Sequence, residues 1–582
     1  GPAWAKAWLI IGAVGIYQAL AGQPDLPRLY VAYAFWGFFG VVLTFYFLMS
    51  HDWSAYPVKV PLLTTMGRML STWLPTLVTH RIHPNVAGGM LAVVLPLYVP
   101  LIALAVRGDV WPNHRSALIA VTSLGMAVAM LGWLVVASRG AWVAAAVAGV
   151  IWGLRRIVNR IRSPGVEAQM ERHGERRPVP TLVEKVLGRD ASSAVNIVFT
   201  VLVLLGALAA VGIGVAVLAF ELPGAAQLAN RLRLLRLGFL LARDVPFTGL
   251  GLGMFEIPFS VYTLLIHVGY INHSHNMLLD MVIEQGVLGG AAYLAMVGIA
   301  LGCGMFDAGH WMSKHRRQVL EDASRDASPA ASNESIDISD ESDPSGREMN
   351  RPGVQPLTAQ LLLEAPLASL IALFIHGLVD DALYGSRGVL LLFVPFGLLV
   401  AAQGLSGGLR SGRRKQWCRA VLLSLSLTFG IIGAVVLVSR GSRGVWHANL
   451  GAISQTRVEL NAYDSLRFQE LSIGEVRRRE DLSTAIGHFE RAIARATRHP
   501  TARQRLTSIL LARREYDAAL VTIEGAWNAG HRDRVTRLLY GDALVAAGRV
   551  DEAVLIVEGL EFAQGRLLGQ AWIYHQIGRA HV

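Results

Sequence analysis

The chain has 582 residues, 53% of them apolar and only 16% charged, with a formal net charge of +11 and a mean hydropathy of +0.43. A soluble chain carries about 25% charged residues, and a single soluble core does not reach this hydropathy. The composition excludes intrinsic disorder, a collagen-like chain and, with two cysteines, a disulfide scaffold. The positive charge does not read as nucleic-acid binding. Lys and Arg cluster in short loops between apolar runs, as the positive-inside rule expects of a polytopic membrane protein.

The chain opens on Gly1 rather than Met and turns apolar almost at once, while Ile577–Val582 reads like a translated sequencing-library adapter. Sequence is therefore expected to be missing at both ends, and residues 577–582 are set aside as an artefact.

Apolar segments near the roughly 20 residues that cross a bilayer fall at 4–21, 29–50, 86–106, 117–137, 139–154, 193–220, 276–306, 358–380, 388–405 and 420–439. They give about ten predicted spans in an all-α transmembrane domain over residues 1–440. The first is the weakest, because Lys6 and Gln18 interrupt it. Basic residues crowd the loop from Arg155 to Arg189, follow the seventh span at Lys314, Arg316 and Arg317, and precede the tenth at Arg410, Arg413, Arg414 and Lys415. These loops are assigned to the cytoplasm, with Cys303 and Cys418 at span ends on that side, where thiols stay reduced. Alternation then puts four pieces on the outer face: residues 51–85, the Ser138–Arg139 turn, the loop 221–274 and everything after about 440.

The segment 320–356 is acidic, Ser-rich and lacks aromatics, so it reads as a disordered cytoplasmic loop without a catalytic role. A phosphorylated regulatory segment is the alternative. Over 460–576 the pattern changes again. Ala485, Ala519 and Ala553 recur at intervals of 34, each in a similar helical phrase: DLSTAIGHF, EYDAALVTI and RVDEAVLIV. This period resembles the tetratricopeptide repeat, and Phe489, Ala492, Ala526 and Gly541 suit it. Such helix pairs stack into an α-solenoid whose concave face binds a protein partner. Three unrelated amphipathic pairs are the plainer reading.

Polar groups at span ends are where a membrane protein places its chemistry, since burying them in lipid costs several kcal/mol. The first such group is His275-Asn276, followed by nine residues and then Gly286-Val287-Leu288-Gly289. A His at a helix start, open to water, suits general-base work; the plainer reading is an interfacial His beside glycines that permit close packing. The second is Arg231, with Arg233, Arg236 and Arg243, leading into Pro246-x-x-Gly249-x-Gly251-x-Gly253. No strand precedes these glycines and no Lys-Ser/Thr follows, so a phosphate-cradling NTPase loop is a poor fit and a flexible turn at the membrane surface fits better. The arginines run against the topological bias and suit an anionic ligand, with lipid headgroups as the alternative. The third is Ser138-Arg139-Gly140-Ala141-Trp142, a charged turn with almost no loop. The fourth is His376, Asp380, Asp381 and Tyr384 at the end of the eighth span, where a carboxylate could orient an arginine, bind a sugar hydroxyl or simply cap the helix.

Taken together these residues resemble the bacterial O-antigen ligases, with their Wzy-type polymerase and protein O-oligosaccharyltransferase relatives. The resemblance rests on His275-Asn276 with Gly-x-x-Gly nine residues on, on Arg231 fifteen residues before Pro246, on the SRGAW turn, on His83-Pro84-Asn85 and on HGLVDDALY, and it covers roughly residues 80–405. Leu235 departs from it, standing where many relatives carry an aromatic. The resemblance implies a GT-C-like helical bundle in the bacterial cytoplasmic membrane that moves a glycan from a polyprenyl diphosphate to an acceptor hydroxyl at the outer face. His275 would be the base, Arg139 and Arg231 would stabilise the departing diphosphate, and Asn276, Arg236, Arg243, His376 and Asp380 would contact substrate. It implies inversion at the anomeric carbon, no cofactor, no metal and no nucleic acid. Ligase, polymerase and protein glycosylase stay open, and a lipid-linked glycan flippase or a membrane anchor for the repeats are the readings from other classes.

Overall fold

Among the described residues every regular element is a helix, as unbroken apolar runs require: in hydrocarbon a helix satisfies its own backbone groups within one segment. The computed structural model describes residues 2–161, 225–326, 356–405, 440–463 and 472–560, apart from short breaks at 23–24, 59, 78–80, 267–268, 270, 382, 386 and 497–498.

The helices of the apolar part are α1 (Pro2–Ala21), α2 (Leu26–Ser50), α3 (Pro61–Ser71), α4 (Pro84–Val94), α5 (Tyr98–Arg107), α6 (Arg115–Val135), α7 (Arg139–Ile161), α8 (Ala225–Asp244), α9 (Met277–Asp326), α10 (Pro356–Val379) and α11 (Val394–Leu405). Among the described residues six stretches are long and apolar enough to cross a membrane: Leu26–Ser50, Pro84–Arg107, Pro112–Val135, Met277–Gly302, Gln360–Val379 and Gly388–Leu405. Two shorter apolar helices, Ala5–Ala21 and Arg139–Leu154, coincide with two more of the expected spans. The expected spans at 193–220 and 420–439 lie outside the described residues, as do most of the basic loop after 161, residues 327–355 and 577–582. Helix α9 runs to Asp326, into the stretch read as a disordered loop from 320.

Burial orders the bundle. Within its apolar window α10 is 78% buried and the Pro112–Val135 stretch only 22%, so α10 is the central helix and α6 a rim helix. The central helix carries buried polar side chains, two of them paired inside the bundle: Ser369 Oγ donates to the Val93 carbonyl at 2.7 Å, and Glu364 accepts from the Trp152 indole at 2.9 Å. Lys6, which weakens the first predicted span, has the same explanation. Its ammonium lies 2.6 Å from Glu284 and over the Tyr384 ring, so the charge is matched rather than lipid-exposed.

The C-terminal helices are α12 (Arg440–Ala462), α13 (Ile473–Arg479), α14 (Ser483–Arg495), α15 (Pro500–Ala512), α16 (Tyr516–Asn528), α17 (Arg534–Ala546) and α18 (Val550–Val557). Ala485, Ala519 and Ala553 are all buried, on α14, α16 and α18, beside Phe489, Ala492 and Ala526.

Candidate active site

Five segments far apart in sequence meet at one end of the bundle. Helix α4 begins at Pro84, whose fixed φ and missing N–H suit a first turn. His83 caps that turn, its Nδ1 accepting from the Asn85 amide at 3.2 Å. Asn85 is 7% exposed and its carboxamide is a hub: Nδ2 donates to Asp380 Oδ2 at 2.5 Å, and Oδ1 accepts from Ser138 Oγ at 3.3 Å. The Ser138 turn fits because position 88 is glycine, where a Cβ would stand 2.5 Å from the Ser138 Cβ. Arg139 follows at the start of α7, exposed and without a hydrogen bond or ion pair among the described residues.

Asp380 immediately follows the central helix and is the second hub. Besides Asn85 it takes the Arg231 guanidinium at 3.2 Å on Oδ2 and His275 Nδ1 at 3.1 Å on Oδ1. Arg231 also donates to the Val379 carbonyl. Burial alone would push Asp380 up; the hydrogen bond from His275 and the Arg231 charge outweigh it and hold the carboxyl well below the usual carboxylate range. Asp380 is thus an ionised acceptor with a cation on one oxygen and an imidazole on the other. If Nδ1 carries the proton donated to Asp380, the His275 Nε2 lone pair is left to take a proton from elsewhere, with the ring 28% exposed.

The loop holding His275 is over-determined. His275 has φ +61°, a left-handed conformation that non-glycine residues seldom adopt. Its amide donates to His273 Nδ1 at 3.2 Å, and the amide of Ser274 donates to both Asp280 oxygens, at 2.9 and 3.2 Å. Asp280 lies beside Asp381, and both carboxyls are buried. Strain of this kind survives only where its surroundings impose it.

The glycine turn after Arg231 is locked rather than flexible. Leu250 N–H donates to the Ile283 carbonyl at 2.8 Å, Gly251 N–H to that of Glu284 at 2.9 Å and Val287 N–H to that of Pro246 at 2.8 Å. The contact needs bare backbone on both sides. Gly249 has φ +65° and a Cβ there would lie 2.3 Å from the Glu284 carbonyl; Gly286 has φ +73°, breaks α9 and would carry a Cβ 2.4 Å from the Phe247 oxygen. Close packing at Gly286, expected between helices, is therefore between a helix break and this turn.

The remaining expected residues divide. Asn276 has both amide functions engaged, Nδ2 on the Leu378 carbonyl and Oδ1 capping α9 at Leu279, each at 2.9 Å. Its place is in the frame. His376 is 2% exposed, its Nε2 unbonded among the described residues and 3.7 Å from where a Cβ on Gly140 would stand. Arg236 is exposed. Arg243 turns from the hub altogether, to Asp533 at 3.1 Å and Gln504 at 3.0 Å in the C-terminal helices. Tyr384 is buried, donating to Glu284 at 2.8 Å. Sequence reading missed Asn85 as a hub, having it only as a landmark, and missed His273 and Asp280.

His273, His275 and Asp380 also bring three possible metal-ligand atoms within 4.8 Å of one another. A cation there would have to displace His275 from Asp380 and lie against the Arg231 charge. The existing bonds suit a proton-handling pair beside an anion site better than a metal cage.

The chain is thus all-helical in its described residues, with several helices fit to cross a membrane and a His–Asp–Arg constellation at one end of the bundle. Residues 124–294 match the family model for O-antigen ligase, a match that fits a membrane glycosyltransferase. It takes in Ser138, Arg139, Arg231, His275 and the glycine turn, with Asn85 and Asp380 outside it. Searches of curated proteins and of solved structures gave no match.

Proposed function

We propose that this protein transfers a glycan from a polyprenyl diphosphate carrier to an acceptor hydroxyl at the outer face of a bacterial cytoplasmic membrane. The observation that carries the reading is the His275–Asp380–Arg231 chain, in which one carboxylate fixes both a base and an anion-binding cation. Asp380 holds His275 through Nδ1, and Nε2 accepts the proton of the acceptor hydroxyl. The hydroxyl oxygen bonds to the anomeric carbon as the bond from that carbon to the diphosphate oxygen breaks, with inversion. Arg231 and Arg139, the latter unpaired among the described residues, take up the charge gathering on the leaving lipid diphosphate, preorganised electrostatics worth several kcal/mol where water is excluded. His376, whose Nε2 has no partner among the described residues and lies beside Gly140, and Arg236 are assigned to sugar or phosphate contacts. Neither cofactor nor metal is needed, since the diphosphate is already a good leaving group.

About ten spans with the site outside follow from the basic loops. The C-terminal helices are read as a tetratricopeptide-like solenoid on the same side, available to an acceptor or assembly protein. Helix starts at Ser483, Tyr516 and Val550, alternating with Pro500 and Arg534, support the period.

The test is transfer by purified protein from a polyprenyl-diphosphate-linked oligosaccharide, with lipid A core, a second glycan chain and a Ser-containing peptide offered in parallel, with and without EDTA. Labelling of one acceptor with release of lipid diphosphate supports the reading and names the ligase, polymerase or protein-glycosylating subclass. Movement of the lipid across vesicles without any transfer replaces it with a flippase.

A further inference from the structure

The helix that carries Arg231 is held at its other end by the C-terminal helices. Thirteen residues, about 20 Å of helix, separate Arg231 from Asp244. Asp244 is 7% exposed and accepts from Thr501 Oγ1 at 2.8 Å and from the Arg505 guanidinium at 2.9 Å. The turn that follows is taken up in the same way. Asn449, fully buried on α12, accepts from the Phe247 and Thr248 amides at 3.1 and 3.4 Å and donates to Thr248 Oγ1 at 2.8 Å. The next turn brings Tyr262, whose hydroxyl donates to Glu459 at 2.8 Å and whose ring lies 3.3 Å beneath the Arg505 guanidinium. Arg505 therefore bridges two points of the outer loop at once. An apolar patch of Leu237, Leu241, Phe255 and Tyr262 with Ile473 and Val476 fills the space between.

Apolar contact alone tolerates sliding; a buried ion pair does not, and fixing register is the best-attested use of such a pair. We infer that the C-terminal helices are a working part of the transfer site, with Arg505 and Asp244 as positioning residues that set the register of α8 and so hold Arg231 against Asp380. The inference rests on the proposed role of Arg231, and it makes this segment more than an attached docking module: the Arg505–Asp244 ion pair and the Asn449 and Tyr262 hydrogen bonds join it to the catalytic loop.

The test uses the full chain. Arg505→Ala and the milder Asp244→Asn are each made alone and combined with Arg231→Ala, and kcat and donor KM are measured on protein that elutes as wild type. If Arg505 acts through Arg231, each single variant raises the donor KM about tenfold or more, yet adds little once Arg231 is already Ala, the non-additivity of coupled residues. A full additional loss in the Arg231→Ala background, or wild-type kinetics in both single variants, overturns it. A second readout is independent of transfer. With Cys303 and Cys418 replaced by Ser, spin labels at Asn230→Cys and Leu294→Cys, both at exposed positions, should report one narrow distance that broadens in Asp244→Asn. An unchanged distribution overturns the inference even where transfer is seen. Absence of transfer in the wild type would count against the proposed function only, leaving the label distances to decide this one.

Discussion

His275 Nδ1 lies 3.1 Å from Asp380 Oδ1, and the other oxygen of the same carboxylate takes Arg231 at 3.2 Å. One side chain therefore sets both the orientation of an imidazole and the position of a guanidinium. Replacing Asp380 by Asn keeps the size but removes the charge, so both partners lose their anchor. Transfer by Asp380→Asn is expected to fall by about a hundredfold or more, within the range that a general base contributes. Retention of a third or more of wild-type kcat would remove Asp380 from the site.

Asn85 supplies Asp380 with a buried donor and ties it to Ser138. In Asn85→Ala a buried acceptor loses a partner, at a cost of about 1–3 kcal/mol. In Asn85→Asp a second carboxylate faces the first, and like charges so close repel. Thermal midpoints and transfer rates should both fall in the order wild type, Ala, Asp. The reverse order of the two variants would mean that the hub works by shape alone.

The turn locked onto Gly286 makes a sharper demand on backbone. Gly249→Ala and Gly286→Ala each place a methyl about one bond length too close to a facing carbonyl, at a positive φ. Each should lose about 1–3 kcal/mol of stability, as overpacking does, and lower transfer with it. Gly298→Ala is the control, since that helical position has nothing within 4 Å of an added Cβ. Unfolding followed in detergent checks all three; an unaltered midpoint for Gly249→Ala would show that the turn can yield.

Burial pushes His273 below the ordinary imidazole range, with the neighbouring His275 adding to the effect. The unfolded chain then binds a proton at about pH 6.5 that the folded chain resists. The stability this group contributes is complete above that pH and is lost as pH falls from it toward the lower folded value. His273→Gln keeps an acceptor for the His275 amide without titrating. Its midpoint should decline less than that of the wild type between about pH 6.5 and 5, and parallel curves would contradict the assignment.

Much of this could be read from the chain. Apolar runs of bilayer length gave most of the helices, and basic loops gave an orientation that puts Ser138, Arg231, His275 and Asp380 on one side. They do meet at one end of the bundle. What escaped was pairing across long separations. Asn85 and Asp380 are 295 residues apart, and neither neighbourhood marks one as the other's donor. Arg243 shares its helix and charge with Arg231, yet Asp533 draws it toward the C-terminal helices, a choice set by which face of α8 meets what. The family resemblance implies a substrate contact for Asn276, but a helix start needs a cap, and its side chain serves there. The glycine turn looked mobile for want of any sign that a broken helix would receive it.

The most direct check separates the two roles joined at Asp380. Donor affinity and single-turnover transfer should be measured side by side for wild type, Arg231→Ala and His275→Ala, using a fluorescent polyprenyl diphosphate glycan. An anion-binding Arg231 and a basic His275 require the first variant to lose donor affinity. The second should bind donor as the wild type does while its single-turnover rate drops by about a hundredfold or more. Equal loss of donor affinity in both variants, with the rate per bound donor unchanged, would contradict a transfer site and leave a binding site in its place.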